Sequence, residues 1–349
     1  MVKRIVIGAA AVIVGCGVVL AGLVLALRTL DAPPPQDAPG YVARVVTAPH
    51  RDVPIPVGVW YPAAADVEPA WMGRNALFLG HGVRPGATAR PGAAPVAVMS
   101  HGSGGSGVRM GWLAAHLARA GWIVVAPDHP GTRSRDSLPA ATVRVWERTA
   151  DVTAVLDALP DGAVPDGRVA AIGFSLGGHT ALALGGVRLS KAGFVADCAA
   201  RDDYDCGWLA RGGIDLEAID AARYDGDLSD ARIQAVVAID PALAAAMTDD
   251  SLAAVDAPVL VVNLGDPPPD AMRADAVVAR MPDATHAALA GASHFAMLPA
   301  CSALGRLVLG VAVRADEDIC ASDPVPRDET QADVAARVAT FLDSRTERP

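Results

Sequence analysis

The sequence predicts an α/β fold: a mostly parallel central sheet with helices on both faces. Two observations carry that expectation. From residue 41 onward, short apolar runs alternate with helix-period segments, the interval of successive βαβ units. The chain of 349 residues is also 52% hydrophobic and only 19% charged. That balance excludes wholesale disorder and supplies enough apolar surface for a sizeable core. The length admits two domains at roughly 150 residues each, but single α/β domains often run longer. No internal repeat is visible.

Residues 1–28 read as an N-terminal membrane anchor or signal. Lys3 and Arg4 precede an uncharged, almost wholly apolar run from Ile5 to Leu27, and Arg28 closes it. As a helix these 23 residues would extend about 35 Å, enough to span a bilayer. The run is longer than the apolar region of an ordinary cleaved signal, and no A-x-A site follows it. An uncleaved anchor is therefore expected. A cleaved signal and a lipoprotein, the latter from Ile13-Val14-Gly15-Cys16, are the alternatives. All three export the rest of the chain, because the basic flank stays cytoplasmic. Residues 29–40 contain the Pro-rich stretch DAPPPQDAPG and read as a semi-rigid linker.

Residues 41–349 then form one domain. Strands are expected over 53–60, 95–100, 122–126, 168–173, 233–239, 259–263 and near 286–290. Helices are expected over 108–120, 142–159 and 176–186, near 242–254 and 270–281, and over 329–343. One segment breaks this rhythm. Residues 188–230 are long for an α/β connection, and from Asp197 to Asp230 they hold ten acidic and three basic residues. Such an insertion reads as a cap, with a solvated acidic loop as the alternative.

Charge and cysteine usage narrow the classes. With 29 Lys+Arg against 39 Asp+Glu the net charge is −10, which argues against a nucleic-acid partner. Aromatic residues make up 4%, too few for stacking platforms to dominate. Beyond the apolar segment stand Cys198, Cys206, Cys301 and Cys320, an even number in an exported chain. The sequence-local pairing, Cys198–Cys206 and Cys301–Cys320, is one of three connectivities; four free thiols are the alternative. The C-x-x-C spacing of a zinc site is absent, and no metal or cofactor is expected.

The chemistry concentrates in a few segments. Gly173-Phe174-Ser175-Leu176-Gly177 ends one predicted strand and opens a helix. A nucleophilic hydroxyl must be exposed to a base, and a sharp strand-to-helix turn between small residues exposes it. Chance supplies roughly 0.1 such matches in a chain like this, so the strand before and the helix after carry the reading. His101-Gly102-Ser103-Gly104-Gly105 follows an earlier buried strand. A tetrahedral intermediate carries negative charge that two backbone N–H groups can stabilise; Leu176 and Ser103 are the candidate donors. A phosphate-cradling loop would need a following Gly-Lys-Ser/Thr, which is missing. Of eight histidines only His294 follows the last predicted strand, where the order Ser…Asp…His puts the base. His101 and His129 read as structural. For the acid, Asp240 directly follows the strand IQAVVAI and Asp266 follows the next strand; either could orient the imidazole.

Further motifs join these: Trp60-Tyr61-Pro62, Asp128-His129-Pro130-Gly131, Ala238-Ile239-Asp240-Pro241 and Ser293-His294-Phe295. Together the segments, spread over residues 42–345, resemble predicted dienelactone-hydrolase-like proteins, relatives of the platelet-activating-factor acetylhydrolases. The resemblance implies an α/β-hydrolase fold and a serine nucleophile at Ser175. In the acetylhydrolase pattern the acid lies on the earlier strand, which favours Asp240. The expected activity is that of an exported serine esterase acting on short-chain or phospholipid-like esters. A polyester hydrolase or lipase on the same scaffold, and a catalytically silent envelope binding protein, are the rivals.

Overall fold

The apolar runs become strands because each is too short for a stable helix and is bounded by turn residues. The computed structural model describes residues 32–160, 163, 169–201, 204–265, 272–312, 319–320 and 324–345. Residues 1–28, read as the membrane segment, and Asp266 lie outside them. Among the described residues no helix is long and apolar enough to cross a membrane.

The strands are β1 (Gly40–Val46), β2 (Ile55–Tyr61), β3 (Ala70–Met72), β4 (His81–Pro85) and β5 (Val96–Ser100). Then come β6 (Ile123–Pro127), β7 (Val169–Phe174), β8 (Ile233–Ile239), β9 (Val259–Leu264) and β10 (Ala284–Leu289). They form one sheet in the order β10-β9-β8-β7-β5-β6-β2-β1-β4-β3. Pairing is parallel from β10 through β7 to β5 and β6. It turns antiparallel at β2–β6, β1–β2 and β3–β4. From β5 the chain passes to β6 on one side and then back to β7 on the other, so the carboxyl ends of β5 and β7 flank a topological switch point.

Alternation along the central strands feeds two apolar layers, one on each face of the sheet. Val96 and Val98 of β5 join the layer beneath helices Val145–Asp157 and Leu176–Leu184. Ala97 and Met99 join the layer beneath helices Gly111–Arg119 and Arg327–Arg345. Burial on both faces is why these strands read as continuous apolar runs.

Several expectations need correction. The helix expected near 242–254 is split: Leu243 adopts φ 64°, so a 3-10 turn Ala244–Ala246 precedes a short helix Asp249–Ala253. Near 270–281 the described helix is only Asp275–Val278. The Pro-rich stretch is not a free linker in its described part. Ala38 is buried, and Arg84 of β4 donates to the Gln36 carbonyl at 2.6 Å, so residues 32–39 are seated on the sheet edge. Strands β1, β3 and β4 and helix Ala303–Ala312 were not anticipated. Three successive residues of β1 are exposed, β3 has three residues, and β4 carries a glycine, an arginine and a proline.

The 188–230 insertion folds into helices Lys191–Ala200, Tyr204–Arg211 and Ala221–Tyr224. Side-chain caps start two of them: Ser190 accepts from Gly193 N–H at 3.1 Å, and Asp220 from Arg223 N–H at 3.2 Å. Cys198 is paired with Cys206 and Cys301 with Cys320, with Cα separations of 5.3 and 5.8 Å.

Candidate active site

Four loops at the carboxyl ends of β5, β7, β8 and β10 converge. After β7 the chain turns at Ser175, which adopts φ 56° and ψ −121°. A non-glycine residue in that region stores about 1–3 kcal/mol of strain. The surroundings hold it there: Ser175 N–H donates to the Ile239 carbonyl at 2.9 Å, and the Ser175 carbonyl accepts from Ala242 N–H at 3.1 Å. The flanking glycines are packing requirements. A Cβ on Gly173 would overlap the Gly177 carbonyl, and one on Gly177 would overlap the Ser100 carbonyl. The helix Leu176–Leu184 thereby starts hard against the sheet with its first N–H groups free.

Asp240 ends β8, also at positive φ (43°), and is fully buried. Its Oδ1 accepts from Leu264 N–H at 2.7 Å and from Asn263 Nδ2 at 3.0 Å. Its Oδ2 lies 2.9 Å from Nδ1 of His294. The His294 ring in turn packs on Phe174, the residue before Ser175, with centroids 4.6 Å apart. His286 Nε2 donates to Asn263 Oδ1 at 2.9 Å, fixing the amide that fixes Asp240.

The loop 101–105 approaches from β5. A Cβ on Gly102 would sit 3.1 Å from the Ser175 Cβ. Gly105 N–H donates to the Gly102 carbonyl at 3.0 Å and Gly104 N–H to the Thr132 carbonyl at 2.9 Å. The Ser103 and Leu176 N–H groups have no described acceptor, and both residues line the cavity beside Ser175.

A buried polar network props this loop from behind. Arg148, fully buried, donates to the His101 carbonyl, to Ser100 Oγ at 3.1 Å and to Thr180 Oγ1 at 3.1 Å. Burial presses its pKa down to about 9, still charged at neutral pH. His129 bridges Ser100 Oγ and Asp151 Oδ2, each at 2.9 Å, and its backbone N–H donates to His101 Nε2 at 3.1 Å. Burial, reinforced by Arg148, lowers His129 to about 4. Burial opposes the charge of Asp151, but hydrogen bonds from His129 and Arg51 outweigh it and hold the carboxyl below its usual range. His101 and His129 thus hold structure, as their sequence context implied.

A cavity of about 320 Å³ opens at Ser175, within the range of small-molecule sites. Its walls are largely apolar: Leu176 and Leu243 from the sheet side, Phe194, Trp208 and Leu209 from the insertion. The insertion therefore roofs the site. Among the described residues no group of His, Cys, Asp and Glu side chains is arranged to hold a metal ion.

The structure joins His294 to Asp240, packs the His294 ring on Phe174 next to Ser175, and sets Ser103 and Leu176 with Ser175 on the cavity wall. Three residues escaped the sequence reading: Asn263, Arg148 and Asp205, which lines the cavity from the insertion. Asn263 interrupts the run VLVVNL at a fully buried position, and that lone amide was the available signal.

A sequence model described as the alpha/beta hydrolase family matches residues 97–304, more than half of the chain. This chain belongs to that family. Within the alpha/beta hydrolases, its fold is similar to the ferulic acid esterase of Streptomyces cinnamoneus. That match has a TM-score of 0.59 and 18% identity, covering 91% of this chain and 95% of that one. A dienelactone hydrolase-like promiscuous phosphotriesterase, P91, from metagenomic libraries aligns with a TM-score of 0.49 and 17% identity, over 88% of this chain and 99% of that one. No curated protein matches the sequence significantly.

Proposed function

We propose that this alpha/beta hydrolase is an exported serine esterase that cleaves carboxylic esters through an acyl-enzyme. The observation that carries the reading is a strained serine turn that opens on an apolar cavity, with a histidine held by a buried carboxylate and packed against Phe174, the residue before the serine.

In this reading His294 Nδ1–H donates to Asp240, which leaves Nε2 unprotonated and able to accept the Ser175 proton. Ser175 Oγ attacks the acyl carbonyl, and the Ser103 and Leu176 N–H groups receive the developing oxyanion. His294 passes the proton to the departing alcohol. It then deprotonates water, which attacks the acyl-enzyme and frees Ser175. Asp240 stabilises the imidazolium formed in both halves.

Ser175→Ala tests this. The alanine fits the same turn, so the fold should persist. Labelling by a fluorophosphonate should vanish, and hydrolysis of p-nitrophenyl acetate should fall by about 10⁴-fold or more. Undiminished hydrolysis would overturn the serine mechanism. The export part rests on the apolar segment 5–27 and the cysteine pairs, whose oxidation state in the cell is the relevant measurement.

A further inference from the structure

The cavity at Ser175 has one feature that ester cleavage does not need. Asp205, on the insertion helix Tyr204–Arg211, lines it. It is the only carboxylate among the lining residues, and no lysine, arginine or histidine lines the cavity with it. No described residue donates a hydrogen bond to its carboxyl group. Burial raises its pKa, opposed by the nearby charges of His294 and Arg201. Its neighbours along the wall, Phe194, Trp208, Leu209 and Leu243, are apolar. Asp205 is half-buried in the open cavity, and a substrate that covers its oxygens without offering a hydrogen bond would leave them without a partner, which is costly. Asp205 belongs to no network behind the site, unlike Asp151 or Asp240. Its partner is therefore to be sought in what enters the cavity.

We infer that Asp205 recognises a hydroxyl on the acyl portion of the substrate, so that the enzyme prefers hydroxyacyl esters to unsubstituted ones. This rests on the esterase reading above. The chemistry follows from the wall. A carboxyl group can accept a hydrogen bond from a hydroxyl, and a hydroxyl is far cheaper to desolvate in an apolar cavity than an ammonium. An anionic acyl chain is disfavoured, because no cation lines the cavity to pair with it. That argues against substrates bearing a free carboxylate or a phosphate headgroup. The recognition works by penalty: an unsubstituted chain would leave the Asp205 oxygens desolvated and unpaired, and polar sites reject analogues that leave them so.

The test compares four matched p-nitrophenyl esters on the oxidised protein: hexanoate, 6-hydroxyhexanoate, 6-aminohexanoate and the adipate monoester. The wild type should show kcat/KM for the hydroxy ester about tenfold or more above hexanoate, and adipate should be the poorest. In Asp205→Leu the hydroxy-to-hexanoate ratio should collapse to about one. Asp205→Asn, which keeps the shape and one acceptor, should give an intermediate ratio. Because each protein is read as a ratio, partial loss of folded material does not imitate the effect. A ratio unchanged in Asp205→Leu would overturn the assignment. So would an amino ester favoured over the hydroxy ester, which would make the site one for cations. A second arm needs no turnover: calorimetric titration of Ser175→Ala with methyl 6-hydroxyhexanoate and methyl hexanoate. Selective binding of the hydroxy ester there, without hydrolysis by the wild type, would uphold the cavity assignment while sinking the esterase reading.

Discussion

At the scale of single residues, Asp240 is the position where geometry and chemistry are most tightly coupled. Its positive φ aims the side chain back across the end of β9, where Leu264 N–H and Asn263 occupy one oxygen and His294 the other. Asn at this position keeps the shape but offers only one acceptor atom. If the amide oxygen stays with Leu264 N–H, the amide nitrogen faces Nδ1. The imidazole must then carry its proton on Nε2, where it is unable to take one from Ser175. Losses from this cause reach about 10⁴-fold in a serine protease. Asp240→Asn should therefore reduce kcat by about 10³-fold or more, with a melting temperature within a few degrees of wild type. Steady-state kinetics within tenfold of wild type would remove Asp240 from the acid role.

At the scale of elements, the insertion is the distinctive part. Its helices Lys191–Ala200 and Tyr204–Arg211 are tied by Cys198–Cys206 across a sequence separation of 8, a closure that stabilises by about 2.5 kcal/mol on the chain-entropy estimate. That link steadies the helices that carry Phe194 and Asp205 into the cavity. Such pairs persist in oxidising compartments. Protein taken from its cells with thiols blocked at lysis should therefore give non-reduced peptides linking Cys198 to Cys206 and Cys301 to Cys320. Mass spectrometry that found four free thiols would refute both the disulfides and export. The insertion's acidic composition alone did not separate a folded roof from a solvated loop. Capping by Ser190 and Asp220, and packing of Phe194 on Tyr224 with centroids 5.7 Å apart, are what order it.

At the scale of the whole molecule, four buried histidines set an acid limit. Burial is the leading cause that lowers His81 and His129 to about 4, His179 to about 3, and His101 well below its ordinary value. Between the folded values and the unfolded value near 6.5 the unfolded chain binds more protons. Stability is thus fully present above about pH 6.5 and is lost as pH falls, by about 1.4 kcal/mol per unit for each histidine once well below 6.5. Asp151, held low, adds to the loss below about pH 4. Asp128 and Asp205, raised by burial, offset it over a narrow range above that. Melting temperatures should be nearly level from pH 8 to 7 and fall steeply from 6 to 4.5. A level profile down to pH 5 would show that these histidines are not buried neutral.

By itself the sequence determined the parallel core of the sheet, the serine turn, the glycine-rich loop 101–105 after β5 and the position of the late histidine. Each rests on local patterning: apolar runs of strand length, glycines where a Cβ would strike backbone, and chain order. It also marked Asp240 as the better acid candidate without excluding Asp266. Tertiary structure decided the rest. Which carboxylate meets His294 Nδ1 depends on how β8 and β9 lie side by side. Asn263 and Arg148 reveal their partners, across 23 and 48 positions of sequence, and Asp205 its place in the cavity wall, only when strands, helices and roof are brought together. Contacts over such separations leave no periodic trace along the chain. They arise from packing, which periodicity does not encode.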